Sequence, residues 1–288
     1  MQRFAYERPT SLRDAIGLLV AGGDAARPLS GGTDLIIRLR DRSIEAGVVV
    51  DVKALPELAA GIRREDDRLV IGANTVMTDI AEDETIRTRF TALAEAAIVV
   101  GSVQIRNRAS LAGNICNASP AADTAPALLA YGAVVVVAGR EGVRRIPIDQ
   151  WFVRSGVTTI RAGELVTAVE LPLVDWPVGS AHVRRTRRRG HDLASVTLGV
   201  ALRKDGPVTI SFGSVGPRPW VVTDSSGTLS DPGSASEARA AVLDGLFSPA
   251  APSPTSMRAS PEYRLAMLRV LGMRALETAH RRLAEAAS

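Results

Sequence analysis

Two short stretches hold the residue types best suited to gripping a phosphate or diphosphate. In "PLSGGTDL", positions 28–35, Ser30, Gly31, Gly32, Thr33 and Asp34 lie between a short apolar run and a helix-like pattern. A diphosphate binds where side chains leave the backbone open and N–H groups converge, best at the positive end of a helix. Gly31 and Gly32 allow close approach and positive φ, and Thr33 adds a hydroxyl. The same turn serves equally to reverse the chain, with Asp34 as an ordinary helix cap. The second stretch, "ASLAGNICNASPAAD", positions 109–123, supplies a Gly113–Asn114 turn, further hydroxyls and Asp123 immediately ahead of a helix. Asp123 too has a plain reading as an N-cap.

Other chemistry finds little support. No G-x-G-x-x-G follows a strand, and G-x-x-x-x-G-K-[ST], H-E-x-x-H and G-x-S-x-G are absent. His182, His191 and His280 are scattered, and the closeness of His191, Asp192 and Ser195 in sequence does not make a triad; all read as structural or surface groups. No residue is assigned a catalytic or metal-ligating role. Cys116 is the one cysteine, which excludes an internal disulfide, a multi-cysteine zinc site and an iron–sulfur cluster held by this chain alone. "VRRTRRRG", 183–190, packs five arginines into eight residues. It reads as a phosphate- or RNA-binding patch, or as a solvated strand edge or a surface for an acidic partner. The second reading is preferred, because no aromatic residue interleaves to stack bases.

The elements that must position the two stretches follow from periodicity. "TSLRDAIGLLVAGG" spaces Leu12, Ala15, Ile16 and Leu19 as one helix face, capped by Thr10 or Ser11 and stopped at Gly22–Gly23. "ARPLS" reads as a short strand, 35–39 as a helix and "GVVVDV" as a strand, giving a small α/β unit over 1–55. "DRLVIGANTVMTDIAED" predicts a strand and then a helix with Thr78 as N-cap, and "TRFTALAEAAIVVG" a helix ending near Gly101. Residues 102–123 fit neither period and read as a compact loop held by backbone and amide hydrogen bonds. "TAPALLAYG" predicts a short helix, and "AVVVVAG" and "ELVTAVELPL" strands. Beyond a boundary near 176, "ASVTLGVALRKDGPVTISFGSVG" alternates about Asp205–Gly206 as an antiparallel hairpin, and two turn-rich linkers lead to a long amphipathic helix through Leu268, Leu271, Ala275 and Leu276.

The 288 residues are 46% hydrophobic and 23% charged, enough for a sizeable core in two domains. A net charge of +4 is too small for a chain built as a nucleic-acid polyelectrolyte, and only Lys53 and Lys204 are lysines. No apolar run approaches the roughly 18–20 residues of a membrane helix, and the first residues lack a signal-peptide core. A cytoplasmic protein without a membrane span is expected.

The stretches "FAYERPTSLRDAIGLLVAGGDAARPLSGGTDLIIRLR", "VGSVQIRNRASLAGNICNASPAADTAPALLAYGA", "RRGHDLASVTLGVAL" and "ASPEYRLAMLRVLGMRAL" together resemble the FAD-binding medium subunit of the molybdenum hydroxylases, the xanthine dehydrogenase and carbon monoxide dehydrogenase family. The likeness runs nearly end to end, and QIRN followed by GN and SPxxD is its most specific part. It implies an α+β protein: a PCMH-type FAD-binding domain over 1–175, in subdomains of about 1–55 and 56–175, then a smaller α+β C-terminal domain over 176–288. By this resemblance Ser30, Gly31, Gly32, Thr33 and Asp34, with Ser110, Gly113 and Asn114, hold the FAD diphosphate, and Pro28, Leu29, Leu35 and Ala109 beside them also bind the cofactor. Val100 and Gly101 lie near the flavin, and Asp123 meets ribityl or ribose hydroxyls, since an ionised carboxylate only accepts hydrogen bonds. The implied partners are a small two-cluster iron–sulfur subunit and a large molybdopterin subunit, as a dimer of heterotrimers. Electrons then pass through FAD to NAD, a quinone or oxygen. A stand-alone flavin oxidase and a non-enzymatic arginine-rich binding module are the alternatives. The chain departs from the family's TIGGN-type loop in having Ser110-Leu111-Ala112-Gly113-Asn114. The methyl of Ala112 fits if its φ is negative and crowds the diphosphate if φ is positive.

Overall fold

The computed structural model describes residues 2–174, 178–188, 190–204 and 206–287. The expected boundary near 176, the turn residue Asp205 and Arg189 of the arginine run lie outside them.

The first lobe is a three-stranded parallel sheet built from β1 (Ala5–Glu7), β2 (Ala26–Leu29) and β3 (Val48–Asp51), in the order β1-β3-β2. Parallel neighbours need crossovers. Helix α1 (Leu12–Gly22) supplies the one between β1 and β2, burying Ala15, Ile16 and Leu19 along one stripe and opening on Ser11, whose hydroxyl accepts the Asp14 amide. Helix α2 (Leu35–Arg40) supplies the one between β2 and β3.

The second lobe is a five-stranded antiparallel sheet: β4 (Ile62–Glu65), β5 (Arg68–Gly72), β6 (Val134–Gly139), β7 (Gly142–Pro147) and, after the short hairpin β8 (Phe152–Arg154) and β9 (Val157–Thr158), β10 (Leu165–Pro172). Its order is β4-β5-β10-β6-β7, so β10 returns to the middle, where Val169 pairs with Ile71 on one side and Val135 on the other. The nearly continuous apolar run of β10 suits a strand covered on both faces. Helices α3 (Met77–Glu82), α4 (Glu84–Arg89), α5 (Thr91–Ile98), α6 (Val103–Arg106), α7 (Leu111–Asn117) and α8 (Thr124–Ala130) fill the connection from β5 to β6. One core joins both lobes, with Leu19 and Val50 of the first in the same cluster as Ile71, Leu93, Leu111 and Val137 of the second.

The third unit has a separate core. Strands β11 (Val178–Arg185), β12 (Val196–Arg203), β13 (Val208–Gly213) and β14 (Trp220–Asp224) form an antiparallel meander. Helix α9 (Ser236–Leu246) and the 27-residue α10 (Pro261–Ala287) cover it, and α10 buries Leu268, Leu271, Ala275 and Leu276 as its spacing predicts.

Three expectations change. The stretch 102–123 is a loop only in part: α6 and α7 take up 103–106 and 111–117, capped by Ser102 and Ser110 through the amides of Ile105 and Gly113. Thr78 does not cap α3, which starts at Met77; the Thr78 hydroxyl donates to Asn107 Oδ1 instead. The α4–α5 pair breaks at Phe90, whose ring packs edge-on against Tyr131.

Candidate functional site

The two glycine-bearing stretches, about 80 residues apart in sequence, meet in space. Ser30 follows directly from β2, and its hydroxyl donates to Asn74 Oδ1 at 2.6 Å while lying 3.1 Å from Ser110 Oγ. Asn117 Nδ2 donates to Asp34 Oδ1 at 3.2 Å, joining the end of α7 to the start of α2. The second stretch is strapped to the β5–α3 connection by two backbone bonds, Met77 N–H to Ala109 O and Leu111 N–H to Thr75 O. Gly31 is the tightest point: a Cβ there would lie 1.9 Å from the Arg108 carbonyl oxygen, so only glycine lets the loops touch. Gly32 carries the positive φ, +75°, against the Leu29 side chain.

Between the loops runs a cleft of about 360 Å³, within the range of small-ligand sites. Pro28, Ser30, Gly31, Gly32, Thr33, Asp34 and Leu35 line one wall, and Ala109, Ser110, Gly113 and Asn114 the other. Val52, Leu58, Ala73, Leu165 and Val166 make its apolar part, the last two brought there by the central placement of β10. Arg27 and Arg38 add positive charge, and neither was anticipated from the sequence, where nothing distinguishes them from other arginines. Asn74 and Asn117 were missed as well; "GAN" and "ICN" show no period that would single them out. Among the described residues the amides of Gly31, Gly32, Thr33 and Asp34 have no protein acceptor. Asn114 Oδ1 accepts from the Thr124 hydroxyl at 2.6 Å, which fixes the side-chain amide, and its Nδ2 has no protein acceptor among them either. Backbone donors without acceptors, beside a cleft with basic residues, suit an anionic ligand.

Desolvation pushes the Asp34 carboxyl upward, against the opposing pull of Arg38. Burial pushes the Cys116 thiol up to about 12, so it stays protonated where it lines the cleft. Ala112 lies within α7, is absent from the residues of positive φ, and is buried in the shared core. Its methyl therefore faces protein and does not line the cleft.

Leu29, Val100, Gly101 and Asp123 stand outside the lining. Leu29 packs beneath Gly32, and Val100 and Gly101 form the corner between α5 and α6. Asp123 occupies the N-cap position of α8 without a side-chain capping bond. Its Oδ2 accepts from Arg184 Nη1 at 2.9 Å, and its Oδ1, 3.7 Å from His182 Nε2, has no hydrogen-bond partner. Burial pushes this carboxyl up to about 7 against the pull of Arg184. Burial, then Arg184, pulls His182 down to about 3, and its Nε2 sits 2.9 Å from Thr197 Oγ1.

The arginine run is thus no uniform solvated edge. Strand alternation turns His182 and Arg184 inward together, and the Arg184 side chain is only 14% exposed. Arg185 Nε donates to the Tyr263 hydroxyl at 2.9 Å, while the Arg187 and Arg188 amides donate to Asp192 Oδ2, each at 3.2 Å.

Comparison with known proteins agrees with this architecture. Residues 2–174 match the family described as the FAD binding domain in molybdopterin dehydrogenase, and residues 181–279 the CO dehydrogenase flavoprotein C-terminal domain. The chain is 30% identical to the xanthine dehydrogenase FAD-binding subunit of Escherichia coli O157:H7, over 96% of this chain and 95% of that one. It is likewise 30% identical to the carbon monoxide dehydrogenase medium chain of Hydrogenophaga pseudoflava, over 98% and 99%. Its fold superimposes on a solved structure of the carbon monoxide dehydrogenase from that organism with a TM-score of 0.90, at 29% identity and 98% coverage of each chain.

Proposed function

This chain belongs to the FAD-binding subunits of the molybdopterin-dependent dehydrogenases, and from that premise we propose that its two-loop cleft holds the diphosphate of FAD. The observation that carries the reading is the set of amides over Gly31–Asp34 without protein acceptors, facing a second loop tied to them through Ser30, Ser110 and Asn117. When bound, FAD supplies the redox chemistry, accepting electrons singly and releasing them as a pair.

The protein's own residues bind and orient. The Gly31 to Asp34 amides would hold the diphosphate from one wall, and Asn114 Nδ2 would donate to it from the other. Arg27 and Arg38 neutralise charge at the rim. Pro28, Ser30, Leu35, Ala109, Ser110 and Gly113 shape the two walls and Leu29 supports one of them from behind Gly32, while Val100 and Gly101 would lie at the flavin end with Asp123 supporting it. The units at 1–175 and 176–288 act as the cofactor-binding domain and its C-terminal partner domain. A cleft of about 360 Å³ accommodates the diphosphate region, and the remainder of the cofactor extends beyond it.

Electrons reach this subunit from a small two-cluster iron–sulfur partner, fed in turn by a large molybdopterin subunit. They leave to NAD, a quinone or oxygen. Cys116 alone cannot ligate such clusters, in keeping with clusters on another chain. The assembly is a cytoplasmic dimer of heterotrimers; no helix among the described residues is long and apolar enough to cross a membrane. Metal and flavin analysis of the complex purified from its native host tests this. Molybdenum, iron and one FAD per copy of this chain are expected, and a monomeric, metal-free active oxidase overturns it.

A further inference from the structure

We propose that Arg184, on β11 of the C-terminal unit, is a positioning residue for the flavin end of the FAD site. Its guanidinium reaches three separate segments at once. Nη1 donates to Asp123 Oδ2 at 2.9 Å and to the Val99 carbonyl at 2.9 Å, and Nη2 donates to the Asp192 carbonyl. Asp123 opens α8, Val99 directly precedes the Val100–Gly101 corner, and Asp192 follows the arginine run. One planar cation therefore fixes the two flavin-end segments of the cofactor domain against the second domain. Lysine cannot do this, because its ammonium lacks the fixed fork of donors.

The inference rests on the proposed FAD site, and it deepens that reading by giving Asp123 its orientation. Among the described residues, few groups face the Asp123 carboxylate. Arg184 and His182 come from β11, and Thr197 from β12. His182 stays neutral across the ordinary pH range. Asp192 directs its own carboxylate to the Arg187 and Arg188 amides, leaving only its carbonyl for Arg184. The Asp123–Arg184 pair is thus the one contact in the cluster whose charge changes near neutrality, as Asp123 takes up a proton below about 7.

The test is FAD affinity of the full chain, measured by flavin fluorescence from pH 5.5 to about 8.5, for the wild type, Arg184→Met, Arg184→Lys and Asp123→Asn. In the wild type, affinity is expected to fall as Asp123 becomes protonated below about pH 7. Arg184→Met is expected to weaken binding about tenfold or more at pH 8, the loss of one charge-assisted contact, and to flatten the pH profile. Arg184→Lys recovers only part of the affinity. Asp123→Asn keeps Arg184 and the side-chain shape, so it tests the pair even if Arg184→Met fails to fold; it too flattens the profile. An unchanged affinity and an unchanged pH profile in Asp123→Asn, with FAD still bound, overturn the role of Arg184. A wild-type chain that binds no FAD overturns the underlying site instead.

Discussion

At the scale of single residues, the two adjacent glycines have different work. Gly32 supplies a backbone conformation that other residues adopt only with strain, while Gly31 supplies room for the opposing Arg108 carbonyl. Gly31→Ala forces that carbonyl to move and is expected to cost about 1–3 kcal/mol of stability, as overpacking does. Its urea midpoint falls together with FAD content. A variant that keeps both shows the loops do not need to touch. The glycine pair was legible in the sequence because turns and phosphate cradles draw on the same residue type. Its division of labour was not, since the partner of Gly31 lies 77 positions away. Ala112 shows the same limit: the departure from the family pattern was visible, but its harmlessness follows from a helical φ and a buried methyl. Arg184 was hidden inside a charge run, and only the pairing of β11 with β12 and the inward turn of His182 beside it separate it from its solvated neighbours.

At the scale of elements, the long and strongly periodic segments were readable: α1, β10, the β12–β13 hairpin and α10 all lie where apolar spacing puts them. The short ones were not. A four-residue α6 and a seven-residue α7 span too little chain to display a period, so residues 102–123 read as a loop. The available signal was the pair of serines three residues ahead of their amide partners. Ser110 has a double role, capping α7 through Gly113 N–H at 3.2 Å and standing 3.1 Å from Ser30 Oγ. Ser110→Ala is expected to cost about 1 kcal/mol of stability through the cap, and to weaken FAD binding because the two walls lose a tie. Ser110→Thr retains the hydroxyl and recovers most of both. Denaturant titration alongside flavin release checks this, and equal FAD affinity for the alanine variant shows that Ser110 does not tie the two walls for binding.

At the scale of the whole molecule, the resemblance read from four separated stretches extends over both domains, as the family matches show. Domain contact is polar as well as apolar: Tyr131 donates to Ser180 Oγ at 2.6 Å, and Arg282 of α10 bonds the Ser180 carbonyl and pairs with Glu95 of α5. This interface also holds His182, whose burial has a definite consequence for acid stability. Its folded pKa, about 3, lies below the ordinary value of 6.5, so the unfolded chain binds the extra proton between those limits. Stability from this group is therefore full above pH 6.5 and is lost as pH falls toward 3. Asp123 works in the opposite sense, its carboxyl being protonated in the folded state up to about 7. His182→Gln removes the first effect alone, so the melting temperature of the variant is expected to fall less than the wild type's between pH 6.5 and 4. Parallel curves for the two proteins contradict a neutral buried imidazole. Whether FAD is held between the two loops is decided by the FAD content of soluble, folded Gly32→Val and Asn114→Leu chains. Both are expected to lose the visible flavin absorption of the wild type while their circular dichroism is unchanged; full flavin occupancy in both rules out the two-loop site.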